Sequence, residues 1–340
     1  MSESDSLFEI RNLDKTYPVS REGVLSSLFA EPDHLRAVDN VSFDIKKGEI
    51  LGLAGQSGCG KSTLGELLVG LQQPTDGDIY FDGESTREYS KSERREFRRR
   101  CQVIFQDPYN SLNPRFTVAR TVTEPLKIHG IGDRESREAR VFEAIEEAGL
   151  RPVEKFLDRV PAELSGGERQ RVNIARALAL DPDFLLADEP VSMLDVSVKT
   201  GILQLFERLQ KKKNLTMVYI SHDLSTVNYL TDRTMIMYMG NVVELGGTEN
   251  VIHETAHPYT ERLISAVADP DPDVSREKKQ MQGDVPDPIN LPPGCRYYSE
   301  CPNATQQCNE SEPLLEELEQ NHQVACYHPV DRESSVAAQE

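Results

Sequence analysis

The sequence predicts an α/β fold. Three short runs, Ile50–Ala54, Phe184–Ala187 and Met217–Ile220, are apolar at successive positions, as strands buried on both faces of a parallel sheet are. A glycine-rich loop joins the first run to a helix, and residues 134–150 show helical periodicity. In chain order, Val41, Phe43 and Ile45 alternate with Ser42, Asp44 and Lys46, the pattern of a half-buried strand. Lys47 and Gly48 turn the chain into the run at 50–54. The basic stretch Arg87–Arg100 reads as a solvated helix ahead of a strand leading to Gln106. In 134–150, Val141, Ala144, Ile145 and Ala148 share one face and Gly149 stops the helix.

Composition bounds the function. The 340 residues hold 57 acidic and 38 basic side chains, a formal charge of -19, with 38% hydrophobic residues. That suffices for about two domains of ~150 residues. It argues against a nucleic-acid face, which needs basic groups to neutralise phosphate. No apolar run approaches the ~20 residues of a membrane helix. The start, MSESDSLFEI, has no positive or apolar leader segment and reads as unprocessed and cytosolic. The acid excess, arginines outnumbering lysines and the absence of Trp point to a salt-adapted, halophilic protein. An ordinary acidic protein is the alternative.

Pro and Asp alternate through 266–294, marking a linker between a unit at 1–265 and a cysteine-rich module at 295–330; 331–340 reads as a disordered tail.

Residues 55–63, GQSGCGKST, match the Walker A pattern. Gly55, Gln56, Ser57, Gly58, Cys59, Gly60, Lys61, Ser62 and Thr63 would present backbone N–H groups to phosphates at a helix N-terminus. Lys61 would hold the β and γ phosphates, and Ser62 would bind Mg²⁺. Cys59, where a helix terminus lowers a thiol pKa, reads as a small loop residue rather than a redox group. The strand at 184–187 delivers Asp188 and Glu189 to its end, the place of a Walker B metal ligand and a general base.

LSGGERQR at 164–171 resembles the signature of ATP-binding cassette ATPases, and the other family motifs follow in order. Gln106 resembles the Q-loop residue, Ser192–Asp195 the D-loop and His222 the H-switch. Tyr17 resembles the aromatic residue that stacks on adenine. The resemblance covers about residues 8–265. It implies a RecA-like core, an antiparallel β subdomain and a helical subdomain near 107–165. It also implies ATP and Mg²⁺ as ligands, with Ser62, Gln106 and Asp188 around the metal. Glu189 would activate water, and His222 would sense the γ-phosphate. Ser165, Gly166, Gly167 and Glu168 would act on ATP held by a second subunit, with Asp195 at the seam. Met193 stands where the family usually has Ala.

QDPYNSLNPRFTV at 106–118, HPYT at 257–260 and PPGCRYYSECPNA at 292–304 resemble peptide and nickel importer ATPases, as does the insertion between Tyr17 and Ala37. This implies a peripheral subunit on the cytoplasmic membrane face, paired with a second ATPase as heterodimer or homodimer. Its partners would be two permeases and an external binding protein; peptides, nickel or oligosaccharides would be the cargo. An exporter subunit or a soluble cassette protein fits less well, given this tail and a single cassette. Cys295, Cys301, Cys308 and Cys326 suit four-thiolate ligation. Their spacing resembles the [4Fe–4S] cluster of such ATPases; Zn²⁺, with His322 or His328, and unliganded thiols are the alternatives.

Overall fold

The computed structural model describes residues 5–19, 33–266, 289, 291–319 and 321–330. Most of the 266–294 linker, the tail from 331 and much of the 17–37 insertion lie outside these. The chain opens with β1 (Ser6–Val19), antiparallel to β2 (Asp33–Lys46). β3 (Ile50–Ala54) leads through the glycine-rich loop into α1 (Lys61–Leu68). β4 (Asp76–Phe81) pairs antiparallel with β1, and β5 (Glu84–Ser85) completes a four-stranded sheet in the order β2-β1-β4-β5. The predicted basic helix is α2 (Lys91–Arg100), which feeds β6 (Cys101–Ile104). Only Phe97 of α2 is buried; Arg99 pairs with Glu96, and Arg100 with Asp82 and Asp183.

A helical layer follows, with α3 (Val118–His129), α4 (Arg134–Glu147) and α5 (Gly166–Leu178) packed on one another. The predicted stripe on α4, Val141, Ala144 and Ile145, faces this core. Next come β7 (Phe184–Asp188), α6 (Val196–Lys213), β8 (Thr216–Ile220), α7 (Leu224–Leu230), β9 (Arg233–Tyr238) and β10 (Asn241–Gly247). Two helices, α8 (Thr248–His253) and α9 (Pro258–Ser265), close this part. Strands β6, β7, β8, β3 and β9 pair in parallel, and β10 turns back antiparallel on β9.

The apolar strands have a direct physical cause, because this sheet separates two cores. Ile50, Leu185, Ala187, Met217 and Tyr219 enter the core shared with the helical layer. Their neighbours Leu51, Leu53, Phe184, Leu186, Val218 and Ile220 enter the core shared with the antiparallel sheet. There Phe8 lies 4.9 Å from Phe81 and 4.7 Å from Phe184, ring centre to ring centre. With both faces covered, neither set of alternating side chains meets water, so neither is polar.

The cysteine-bearing segment joins this same sheet. It forms α10 (Gln306–Glu310), β11 (Glu316–Glu319) and β12 (His322–Val324). β12 pairs with β10 and β11 with β12, both antiparallel, making a sheet of eight strands among the described residues. Beneath that seam His322 Nε2 lies 2.8 Å from Glu244 Oε1, both side chains fully buried. Glu244 also accepts from the N–H groups of Ala256 and His257 and the hydroxyl of Thr255. A buried carboxylate this fully hydrogen-bonded is one a core tolerates. Among the described residues, no helix is long and apolar enough to cross a membrane.

Candidate nucleotide site

β3 ends inside the sheet, and the chain must leave it and start α1 within a few residues. Two glycines make that possible. A Cβ on Gly55 would stand 2.3 Å from the Met237 carbonyl oxygen, and one on Gly60 2.1 Å from that of Ala37. Both positions also have positive φ, 147° and 107°. Lys61 is buried, and its Nζ donates to the carbonyls of Gly55 at 2.7 Å and Gln56 at 2.8 Å. The ammonium thus spans the loop at the head of α1. Cys59 is buried in the loop, and burial raises its thiol pKa against the opposing pull of Lys61. The helix-terminus effect loses to desolvation, which fits a small packing residue.

Asp188 and Glu189 close β7 as the sequence predicts. The Asp188 carboxylate is pushed up by burial and by Glu189, against a hydrogen bond from the Ser62 hydroxyl and the charge of Lys61. Two of the three expected metal ligands, Ser62 and Asp188, therefore touch each other. Glu189 has φ 43°, a left-handed backbone that swings its side chain out of the strand line. Its Oε1 meets His222 Nδ1 at 3.0 Å, and its Oε2 accepts from Gln106 Nε2 at 2.8 Å. Gln106 and His222, from two other segments, thus meet on the Glu189 carboxylate. Gln106 bonds Glu189 here rather than the Ser62–Asp188 pair. Tyr17 sits on β1, with its hydroxyl on Gln72 Oε1 at 2.5 Å.

Ser165 caps α5. Its Oγ accepts from the Glu168 N–H at 3.3 Å, and Glu168 Oε2 accepts from the Ser165 N–H at 2.8 Å. Gly166 lies near Leu194, and a Cβ on Gly167 would meet Val198 Cγ1 at 2.4 Å. The buried Gln170 Nε2 donates to the Pro190 carbonyl at 2.8 Å, tying the signature helix to the corner after Glu189. Asp195 stands at the N-cap position of α6 without a side-chain capping bond, and beside it Met193 and Val196 are 56% and 79% exposed. Such exposed apolar pairs suit a surface that another subunit covers.

The four terminal cysteines are free thiols lining one pocket with His257, Pro258, Tyr297 and His328. Burial, added to by neighbouring thiolates, pushes Cys295 up to about 11 and Cys326 up to about 12. The donor set fits a thiolate-bound group. Among the described residues, however, no three His, Cys, Asp or Glu side chains stand where they could hold a metal ion. The expected cluster is thus not drawn in this geometry. His322, a zinc candidate from the sequence, does not line this pocket; it is buried on β12 with Nε2 on Glu244. His328 does line the pocket, with Nε2 2.8 Å from Thr305 Oγ1.

Two residues near the loop were not among the sequence candidates. Tyr259 Oη accepts from the Gln56 N–H at 2.9 Å. The buried Arg296 donates to the Met239 carbonyl and to Asp39. HPYT was legible as a marker, but nothing in it announced a contact with the loop.

The profile of the ABC transporter family matches residues 38–192, and that of the oligopeptide/dipeptide transporter C-terminal region matches 243–308. A putative oligopeptide transport ATP-binding protein of Bacillus subtilis (strain 168) is 46% identical over 86% of this chain and 89% of its own length. A dipeptide transport ATP-binding protein of Haemophilus influenzae is 42% identical over 96% of this chain and 98% of its own. Among solved structures, a dimeric ATP-binding cassette bound to ADP and Pi gives a TM-score of 0.61 at 32% identity, covering 71% of this chain and 98% of that one. The cbiO1 protein of Clostridium perfringens, part of the ABC transporter complex cbiONQ, gives 0.63 at 27% identity, covering 74% and 92%.

Proposed function

The chain belongs to the ABC transporter ATP-binding proteins of the oligopeptide/dipeptide importers, and on that premise we propose how its residues energise peptide import. It binds ATP and couples ATP hydrolysis to transport. The observation that bears most weight is the meeting of Gln106 and His222 on Glu189, beside the loop bearing Lys61.

Phosphoryl transfer needs positioning and charge neutralisation more than covalent chemistry. Lys61 exchanges its loop carbonyls for phosphate oxygens. Ser62, Asp188 and Gln106 would hold Mg²⁺, which would supply charge neutralisation on the phosphates. Glu189 orients the attacking water and takes its proton. His222 fixes the carboxylate through Nδ1. Tyr17 packs on the base, and residues 165–168 and Asp195 complete the ATP site of a second subunit across the surface marked by Met193 and Val196.

The chain works peripherally at the cytoplasmic membrane face, with a second ATPase, two permeases and an external binding protein. The four-thiol pocket supports a [4Fe–4S] group held by Cys295, Cys301, Cys308 and Cys326, which would clamp the C-terminal segment. The charge of -19 supports a protein that works in high salt.

The test is reconstitution of the chain with its permeases, second ATPase and binding protein in proteoliposomes at molar salt. ATP-dependent uptake of a labelled short peptide is expected. Uptake of nickel or an oligosaccharide with none of peptide overturns the cargo assignment.

A further inference from the structure

The chain after β9 is tied to the phosphate loop by two routes, one through Tyr259 directly and one through the β9–β10 turn. On the first, α9 begins at Pro258 and places Tyr259 under the loop, where its hydroxyl accepts the Gln56 N–H at 2.9 Å. Tyr259 is 2% exposed and is held by rings on two sides, Tyr238 at 4.6 Å and Tyr297 at 5.5 Å. A phenol fixed this way has little freedom to follow a moving loop.

On the second route, the Gly240 N–H donates to the Cys59 carbonyl at 2.9 Å, so the turn between β9 and β10 holds the far side of the loop. That turn is itself pinned. Arg296, 7% exposed, donates to the Met239 carbonyl and bridges Asp39 and Glu312. The Asp39 N–H in turn donates to the Gly240 carbonyl at 3.0 Å. Cys295, Arg296 and Tyr297 are consecutive: a thiol in the cysteine pocket, the guanidinium of the second route and a ring of the first.

We propose that Tyr259 and Arg296 are positioning residues of the nucleotide site, by which the C-terminal segment holds the Walker A loop in its phosphate-binding shape. This deepens the ATP-binding reading of the loop and rests on it. Neither residue is placed on the nucleotide; each acts through backbone groups of Gln56 or Cys59. A loop already shaped for phosphate spends less free energy on ordering when ATP arrives, so loosening it weakens binding while leaving the chemistry of Glu189 intact.

The test is a steady-state ATPase comparison in the full chain. Tyr259→Phe removes one oxygen and keeps the ring. It should raise the KM for ATP about three- to tenfold, the scale of one net hydrogen bond, with kcat within twofold of wild type. Arg296→Gln should shift KM in the same direction. Tyr238→Phe is the matched control, since its hydroxyl donates to Glu300 at 2.9 Å rather than to the loop; its KM should stay within twofold. A Tyr259→Phe KM less than twofold above wild type overturns the proposal. So does an equal rise in Tyr238→Phe, which would mean that loosening the aromatic stack is enough. Wild-type protein that binds no ATP would overturn the loop reading itself, and this inference with it.

Discussion

Glu189 and His222 lie 33 positions apart in the chain, and their Oε1 and Nδ1 atoms meet at 3.0 Å. The imidazole is held by the one carboxylate that follows Asp188, so the proposed base and the proposed γ-phosphate sensor share a contact. Glu189→Gln keeps the shape and removes the base. Hydrolysis should fall by at least ~10²-fold, the scale of positioned acid–base catalysis, while ATP-bound dimers accumulate on size-exclusion chromatography. Unchanged turnover would refute the assignment.

Lys61→Ala removes the ammonium that spans the Gly55 and Gln56 carbonyls. Charge-assisted contacts contribute roughly 1.5–3 kcal/mol each, so ATP affinity should drop by at least ~10²-fold in a fluorescent-nucleotide titration. Retained affinity would count against the loop as the phosphate site.

Asp188 gives a pH-dependent prediction with a definite sign. Its pKa is raised by burial, so the stability tied to its proton is present below the ordinary carboxylate range and lost as pH rises through the raised value. In metal-free protein at pH 7, Asp188→Asn should melt higher than wild type, and acidification should close the gap. With Mg²⁺ and ATP the order should reverse, and ATPase activity should be lower by at least ~10²-fold, as when a charge-stabilising group is lost. A variant that melts lower at neutral pH without metal would show that the burial penalty is not what sets this site.

His257 titrates the other way. Burial lowers its pKa from 6.5 to about 4, and its Nδ1 accepts from the Tyr259 N–H at 3.0 Å, a bond that a protonated nitrogen cannot accept. Stability is complete above pH 6.5 and declines as pH falls towards 4, by about 1.4 kcal/mol per unit, or roughly 3 kcal/mol in all. His257→Asn keeps a helix-capping acceptor that does not titrate. Denaturant unfolding at pH 7, 5.5 and 4.5 should show the wild-type advantage over this variant shrinking with acid; a constant difference would sink the idea.

The cysteine pocket makes a spectroscopic prediction. Protein purified without oxygen should be brown, with iron and acid-labile sulfide in equal amounts, and Cys308→Ser should lose both. A colourless zinc protein would favour the zinc reading, and a metal-free one plain thiols.

Local patterns account for what the sequence disclosed. Ile50–Ala54 reads as a strand because all five residues are buried and its side chains enter two cores, and a run with no polar face is visible without knowing its partners. Asp188 and Glu189 were legible because a strand end delivers them. Tyr259 and Arg296 were not: their contacts cross 203 and 257 positions, and a phenol or guanidinium bound to a backbone group leaves no periodic trace. The cysteines announced a common site by type and number, whereas their approach to one another depends on how the chain folds after Gly294.

The strand β11 ends the eight-stranded sheet with Glu316, Glu317, Leu318 and Glu319, all exposed. An open edge offers unpaired backbone groups to any extended chain nearby, and a row of like charges is among the ways proteins refuse that invitation. Two copies approaching edge to edge would set glutamates against glutamates. The C-terminal segment therefore lines this border of the sheet with like charges that oppose edge-to-edge pairing there.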